Sequence, residues 1–100
     1  MYDFVLLSRQ SEATLLRIIE EVPFELWGLA LKGAEQSVRG AIMQAMPRRQ
    51  AQNLEDIMRR SGPVPMSRIE QARQEIIGRI KALADNGEVE IQLFDEAVVE

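Results

Sequence analysis

The chain has 100 residues, no cysteine, no histidine, 28% charged residues and a formal net charge of −4. This length predicts one domain, and the missing thiols and imidazoles exclude disulfides, thiolate metal sites and catalysis by Ser-His or Cys-His pairs. Because only carboxylates could carry acid–base chemistry, we expect a protein that is not an enzyme and that uses no cofactor and no metal.

The hydropathy pattern excludes two further classes. No stretch approaches the roughly 20 consecutive apolar residues of a membrane helix, and the first ten residues lack the basic start and cleavage site of a secretory signal. We therefore expect a cytoplasmic location without membrane insertion.

The charges are unevenly distributed along the chain. Residues 39–81 carry nine basic and four acidic side chains, whereas residues 82–100 carry six acidic side chains and no basic one. A basic centre can indicate nucleic-acid binding. The acids are interleaved with the arginines, however, and aromatic residues that could stack on bases are missing from this segment. We expect no nucleic-acid partner, and a small DNA-binding protein is the weaker alternative.

Three helices are predicted in the first half. Ser11 is expected to cap the first one, whose apolar residues recur every three or four positions. Pro23 ends it and begins a second helix that is apolar almost all round and contains Trp27, so we place that helix at the centre of the domain. Gly33 ends it. In the third helix, Gly40 costs up to about 1 kcal/mol relative to alanine, which predicts a close contact with another helix.

The fourth helix is predicted at about 47–60 and begins at Pro47. Its apolar side contains Ala51, Leu54 and Met58, with Ile57 at the margin. At 100° per residue, the opposite face carries four polar side chains, of which two are basic, one is acidic and one is a neutral amide. We call this face the charged ridge, and its members are Arg49, Asn53, Asp56 and Arg60.

The segment "SGPVP" breaks the chain before a long last helix at about 67–86. Ser67 and Glu70 have the spacing of a capping box at its start, and Asn86 with Gly87 is expected to end it. The tail, residues 88–100, begins with strictly alternating residues and is predicted to be extended. It either lies over the helices or pairs with another chain. The expected fold is all-α, with about five to six helices and a short extended C-terminal tail.

The central sequence closely resembles the C-terminal domain of the flagellar motor switch protein FliG. The motifs "ALKGA", "MPRR", "GPV", "SRIE" and "LADNGE" occur in the order and spacing of that family, and residues 1–4, "MYDF", look like its Met-Phe-x-Phe hinge motif. The resemblance covers essentially the whole chain. It implies one armadillo-like helical domain over residues 1–100.

The resemblance also implies a function. Members of this family are rotor components of the bacterial flagellar motor, located at the cytoplasmic face of the basal body. Charged residues on an exposed helix meet a cytoplasmic loop of the MotA-type stator, and reorientation about the hinge reverses rotation in chemotaxis. The implied partners are this loop, FliM and neighbouring FliG subunits in the rotor ring.

The residues implied to contact the stator are Lys32, Arg49 and Asp56. Each has a purely structural alternative: Lys32 as a cation in the last turn of a helix, where the dipole favours it, and the other two as solvated charges. Glu55, Arg59 and Arg60 are possible supporting charges; Glu55 points about 100° away from Asp56. The sequence departs from the family at two charged positions, which are Ile57 and Pro65 here.

The residues implied to form the hinge are Met1, Tyr2 and Phe4. The alternative for Phe4 is plain packing at the start of the chain. A chain that begins at the hinge and lacks the family's middle domain is expected to be either a fragment of a rotor protein or a short stand-alone relative. The stand-alone reading gives a second functional hypothesis, a regulatory protein that binds rotor or switch proteins without carrying torque.

Overall fold

Six helices follow one another in the part of the chain that the structure describes. The structure is a computed structural model, and it describes residues 2–92. A 3-10 helix, Phe4–Arg9, precedes five α-helices: α1 (Glu12–Glu21), α2 (Phe24–Ala30), α3 (Gln36–Ala45), α4 (Arg48–Arg60) and α5 (Met66–Asp85). Residues 2–92 contain no strand. The all-α prediction and the predicted number of helices are confirmed.

Proline and serine set the starts of the helices. Ser11 caps α1 as predicted, because its hydroxyl accepts a hydrogen bond from the Thr14 amide at 3.2 Å. Pro23, Pro47 and Pro65 directly precede α2, α4 and α5, each with an extended ψ between 139° and 144°. A proline has no amide hydrogen to lose at a helix start, where the first amides have no intrahelical partner.

The predicted capping box at Ser67 is wrong. The last helix begins at Met66, immediately after Pro65, and no side chain caps it. Ser67 therefore lies inside the first turn, where its hydroxyl cannot take the capping position.

Glycine ends two helices, as predicted. Gly33 follows the end of α2 with φ of 71°, and Gly87 follows α5 with φ of 75°, a conformation that glycine adopts without steric cost. At the end of α5, the Glu88 amide donates to the Leu83 carbonyl at 2.9 Å, and the Gly87 amide donates to the Ala84 carbonyl at 3.0 Å. These bonds satisfy carbonyls that the helix itself leaves unpaired.

The core is organised around α2, which packs against both α5 and α4. Trp27 is completely buried there, which confirms the central position predicted for this helix. The 3-10 helix was not predicted, yet it contributes Leu6 and Leu7, both at most 1% exposed, to the same core. It packs mainly on α3.

The predicted close helix contact at Gly40 is wrong. A Cβ atom built on Gly40 would meet no heavy atom within 4 Å. The glycine in a close contact is Gly28 in α2, where a Cβ atom would lie 3.1 Å from Ile57 Cγ2 and 3.9 Å from Leu54 Cδ1. The helix that approaches this glycine is α4.

The described part of the tail folds back over the helices. Val89 and Ile91 are half-buried against the core, while Glu88 and Glu90 are exposed, as the alternating pattern predicts. Gln10 fastens Gln92 by two hydrogen bonds, from its Nε2 to the Gln92 carbonyl at 2.7 Å and from the Gln92 amide to its Oε1 at 3.0 Å. Residues 93–100 of the predicted tail lie outside the described residues.

An ion pair also attaches the tail to α1. Arg17 contacts Glu88 at 2.7 Å and Glu21 at 3.1 Å. The hydrogen bond with Glu88, followed by the one with Glu21, raises the pKa of Arg17 above its ordinary value. The start of the tail is therefore held on α1 by a side chain that stays charged.

Candidate functional site

The charged ridge lies on the exposed side of α4, as predicted. Leu54 is completely buried on the inner side of this helix, and Ala51, Ile57 and Met58 are half-buried beside it. The four members of the charged ridge are all exposed: Arg49, Asn53, Asp56 and Arg60. Arg49 and Asp56 are about 10 Å apart along the helix axis, since an α-helix rises 1.5 Å per residue.

The seat of α4 on α2 depends on Gly28. A Cβ atom at this glycine would lie 3.1 Å from Ile57 Cγ2, so a larger side chain fits only if Ile57 shifts by a few tenths of an ångström. Ile57, one of the two positions at which a departure from a charged residue is expected from the sequence, packs between α4 and α2. Such a contact fixes the rotation of α4 about its axis, and with it the direction in which the charged ridge points.

The charges of the ridge are only weakly paired. Asp56 contacts Arg59 at 3.8 Å, and both side chains are largely exposed, at 56% and 73%. Arg60 Nε donates to the main-chain carbonyl of Asp56 at 3.3 Å. The Arg49 guanidinium has no ion-pair partner within residues 2–92. Exposed ion pairs contribute only about 0 to 1 kcal/mol to stability. These side chains can therefore leave their present partners and pair with charges of another protein at little cost in free energy.

Lys32 has a different environment from the one that the sequence predicts. α2 ends at Ala30, and Lys32 lies in the turn that follows rather than in the last helical turn. Its Nζ donates to Ser61 Oγ at 2.7 Å and to the Gly62 carbonyl, both just past the end of α4. The cation therefore lies at the carboxyl-terminal end of α4, where the helix dipole favours positive charge.

A groove beside the charged ridge brings α3, α4 and the turn after α2 together. We call it the basic groove; its volume is about 350 Å³. It is lined by Lys32, Gly33, Arg39, Met43, Glu55, Met58 and Arg59. Three cations and one carboxylate face the same space, so the groove has a positive surplus. Two of the three predicted supporting charges, Glu55 and Arg59, line this groove, whereas the third, Arg60, belongs to the charged ridge.

Arg39 is the residue of this groove that sequence reasoning missed. The apolar pattern of the third helix predicts Arg39 on its solvent-facing side, with no further role. In the structure Arg39 is half-buried, and its Nε has no hydrogen-bond partner among residues 2–92. The spacing of Arg39 and Met43, four residues apart on α3, is the signal that both share a face. The sequence does not reveal which helix that face meets.

The predicted hinge residues are only partly described. Met1 lies outside the described residues, Tyr2 is half-buried, and Phe4 is 7% exposed at the first position of the 3-10 helix. The Phe4 ring lies beneath the Arg73 guanidinium, with 5.2 Å from the guanidinium carbon to the ring centroid. Phe4 therefore has a specific contact with α5.

Residues 2–92 contain no group of three or more acidic side chains arranged to hold a metal ion. Within the same part of the chain, no helix combines the length and the apolar character needed to cross a membrane.

Comparisons with known proteins identify the family. The family model described as the FliG C-terminal domain matches residues 1–91. The flagellar motor switch protein FliG of Thermotoga maritima is 32% identical over 91 residues, which are 91% of this chain and 27% of that protein. FliG of Vibrio cholerae is 30% identical over 89 residues, 89% of this chain and 26% of the relative. The chain thus spans about a quarter of the length of these curated relatives. It belongs to the FliG C-terminal domain family.

Proposed function

We propose that the chain acts as a rotor component of the bacterial flagellar motor switch complex, at the cytoplasmic face of the basal body. In this proposal, α4 transmits torque through electrostatic contacts with the cytoplasmic loop of a MotA-type stator. Membership of the FliG C-terminal domain family supports the proposal. The function makes and breaks no covalent bond and involves no cofactor.

The observation that carries the proposal is that α4 is packed firmly against the core on one side and exposes charged side chains on the other. α4 is anchored by Leu54 and by the contact between Ile57 and Gly28, whereas Arg49 and Asp56 on its outer side are exposed and at most weakly paired. Exposed ion pairs are weak and give orientation rather than tight binding. A rotor contact must form and release repeatedly, and this arrangement suits such a contact.

The basic groove extends the proposed contact surface. Lys32, Arg39 and Arg59 outnumber Glu55 there, so the groove favours an acidic side chain of the partner. Met43 and Met58 add flexible apolar surface that can adapt to a moving partner. We therefore assign Lys32, Arg49 and Asp56 to the stator contact, with Glu55, Arg59 and Arg60 as supporting charges.

Two further partners belong to the proposal. FliM and neighbouring subunits of the rotor ring would contact surfaces away from α4, and movement at Tyr2 and Phe4 would accompany switching. The proposed movement at Phe4 is supported by the contact of its ring with the Arg73 guanidinium on α5, since a displacement of Phe4 would break this contact.

The experiment is a charge reversal in the gene of the source organism. Arg49→Glu and Asp56→Arg, singly and together, are compared with Lys81→Glu and Glu20→Arg, which reverse the same signs at exposed positions on α5 and α1. We expect the ridge variants to assemble filaments and swim poorly, with partial recovery when a stator charge is also reversed, and the controls to swim normally.

Each other outcome contradicts the proposal. Normal swimming of the double variant would mean that the charged ridge is a solvated face. Missing filaments in the ridge variants, with filaments present in the controls, would assign the ridge to assembly rather than to torque.

A second function is favoured by the two departures from the family. Ile57 packs against Gly28, and Pro65 directly precedes α5, so two of the family's charged positions serve the fold in this chain. A regulatory relative that binds rotor or switch proteins without carrying torque would tolerate such changes. For this function, the ridge reversals would leave swimming speed unchanged, while deletion of the gene would alter switching frequency.

A further inference from the structure

Arg73, on the half-buried side of α5, makes two kinds of contact at once. Its Nε donates to the Ala30 carbonyl at 2.8 Å, and its Nη2 donates to the Lys32 carbonyl at 3.1 Å. Its guanidinium carbon lies 5.2 Å from the centroid of the Phe4 ring. A planar guanidinium can donate from its edge while its face rests on an aromatic ring.

The carbonyls that Arg73 binds belong to the end of α2 and the turn that follows. Such carbonyls have no partner within the helix, so a side chain that binds them fixes the path of the turn. The turn contains Lys32, whose Nζ in turn donates to Ser61 and Gly62 beyond the end of α4. The Lys32 carbonyl therefore accepts a hydrogen bond from Arg73, while the Lys32 side chain donates hydrogen bonds to residues at the end of α4.

We propose that Arg73 is a positioning residue that couples Phe4 in the 3-10 helix to Lys32 and, through Lys32, to the carboxyl-terminal end of α4. The contacts form a continuous path from Phe4 to Arg73, from Arg73 to the Lys32 main chain, and from Lys32 Nζ to Ser61. A displacement of the Phe4 ring removes one of the contacts that orient the guanidinium. The guanidinium then reorients and the turn after α2 shifts. Lys32 moves with this turn, and so does its contact with the carboxyl-terminal end of α4.

Lysine cannot replace arginine in this role. An ammonium group is a compact point charge without the planar fork, so it cannot rest flat on the Phe4 ring and still donate to two carbonyls along its edge. The consequence for a partner that contacts Lys32 rests on the function proposed above. The coupling itself is a property of the isolated chain and can be measured without any partner.

The experiment follows the backbone amide resonances of Lys32, Ser61 and Gly62 by NMR in the purified chain. Phe4→Leu keeps apolar bulk and removes the aromatic face, and Val5→Ala is the matched control in the same 3-10 helix. We expect Phe4→Leu to shift all three resonances clearly more than Val5→Ala does. In an Arg73→Lys background, the additional shift caused by Phe4→Leu should disappear.

This conditional loss separates coupling from simple structural support, because independent destabilisation by two substitutions would leave the effect of Phe4→Leu unchanged. An equal shift in both backgrounds, or no shift at Ser61 and Gly62, overturns the proposal. If Arg73→Lys does not fold, Phe4→Tyr replaces it: the retained ring should leave the resonances near their original positions, and shifts as large as those of Phe4→Leu overturn the proposal. A negative NMR result would not contradict the proposed function, which the swimming test addresses. A negative swimming result would not contradict the coupling.

Discussion

Alanine substitution at two helical glycines should have opposite effects on stability. Within a helix, replacing glycine by alanine stabilises by about 0.5 to 1 kcal/mol when the new methyl group has space. Gly40 in α3 has that space, because a Cβ atom there would meet nothing within 4 Å. We expect Gly40→Ala to raise the free energy of unfolding by this amount.

At Gly28 the same gain is opposed by the contact with α4. The new Cβ atom would lie 3.1 Å from Ile57 Cγ2, too close for an ordinary carbon–carbon contact, and overpacking of this kind costs about 1 to 3 kcal/mol. The net effect of Gly28→Ala is a loss of about 1 kcal/mol. For a domain of this size, 1 kcal/mol corresponds to a change in Tm of about 4 to 8 °C.

Urea unfolding followed by far-UV circular dichroism measures both variants. The slope of the free energy against urea should stay constant, so that midpoints report stability. In an Ile57→Ala background the crowding atom is gone, and Gly28→Ala should become stabilising, as Gly40→Ala is. If Gly28→Ala in the otherwise unchanged chain is as stabilising as Gly40→Ala, Ile57 does not crowd position 28 and the predicted net loss is wrong.

Three further stability predictions can be checked by the same unfolding measurements. Trp27→Ala should cost about 3 to 5 kcal/mol, because it empties the centre of the core, and a loss below about 1 kcal/mol would contradict the central position of α2. Ser11→Ala should cost about 1 kcal/mol through loss of the α1 cap, whereas Ser67→Ala, with no capping bond to lose, should stay within about 0.5 kcal/mol; equal losses would restore the capping box. Ile57→Asp should cost about 2 kcal/mol, since it removes apolar packing and places a carboxylate at a half-buried position, and an unchanged midpoint would show that this position does not pack.

The features that the sequence predicts well are those decided within one helix. The cap at Ser11, the glycine beyond α2 and the exposed side of α4 each depend on residues a few positions apart, because hydrogen bonds and side-chain periodicity in a helix are local. Apolar spacing alone also identifies Trp27 as central, since its helix has no polar face to expose.

The features that the sequence misses depend on competition between two signals for the same helix start, or on the arrangement of separate helices. Pro65 and Ser67 both signal a helix start, and the proline, two residues earlier, begins the helix first. Gly28 and Gly40 look alike in the sequence, and only the packing of α4 on α2 distinguishes them. The meeting of Lys32 with Ser61, 29 residues apart, likewise requires knowledge of how two helix ends approach each other.

The structure separates charges that only face solvent from charges that also support the fold, and this decides which substitutions can test the proposed function. Arg49 and Asp56 are exposed on the outer side of α4, so we expect a reversal of their signs to change the surface that a partner meets and to leave the packing of α4 intact. Lys32 is different, because Lys32→Glu would also remove the donor that binds Ser61 and Gly62 and would place a negative charge at the carboxyl-terminal end of α4, where the dipole disfavours it. A motility defect in a Lys32 variant could therefore arise from a displaced helix as readily as from a lost contact. The substitutions at Arg49 and Asp56 do not carry this ambiguity, and their effects on swimming report directly on the charged ridge.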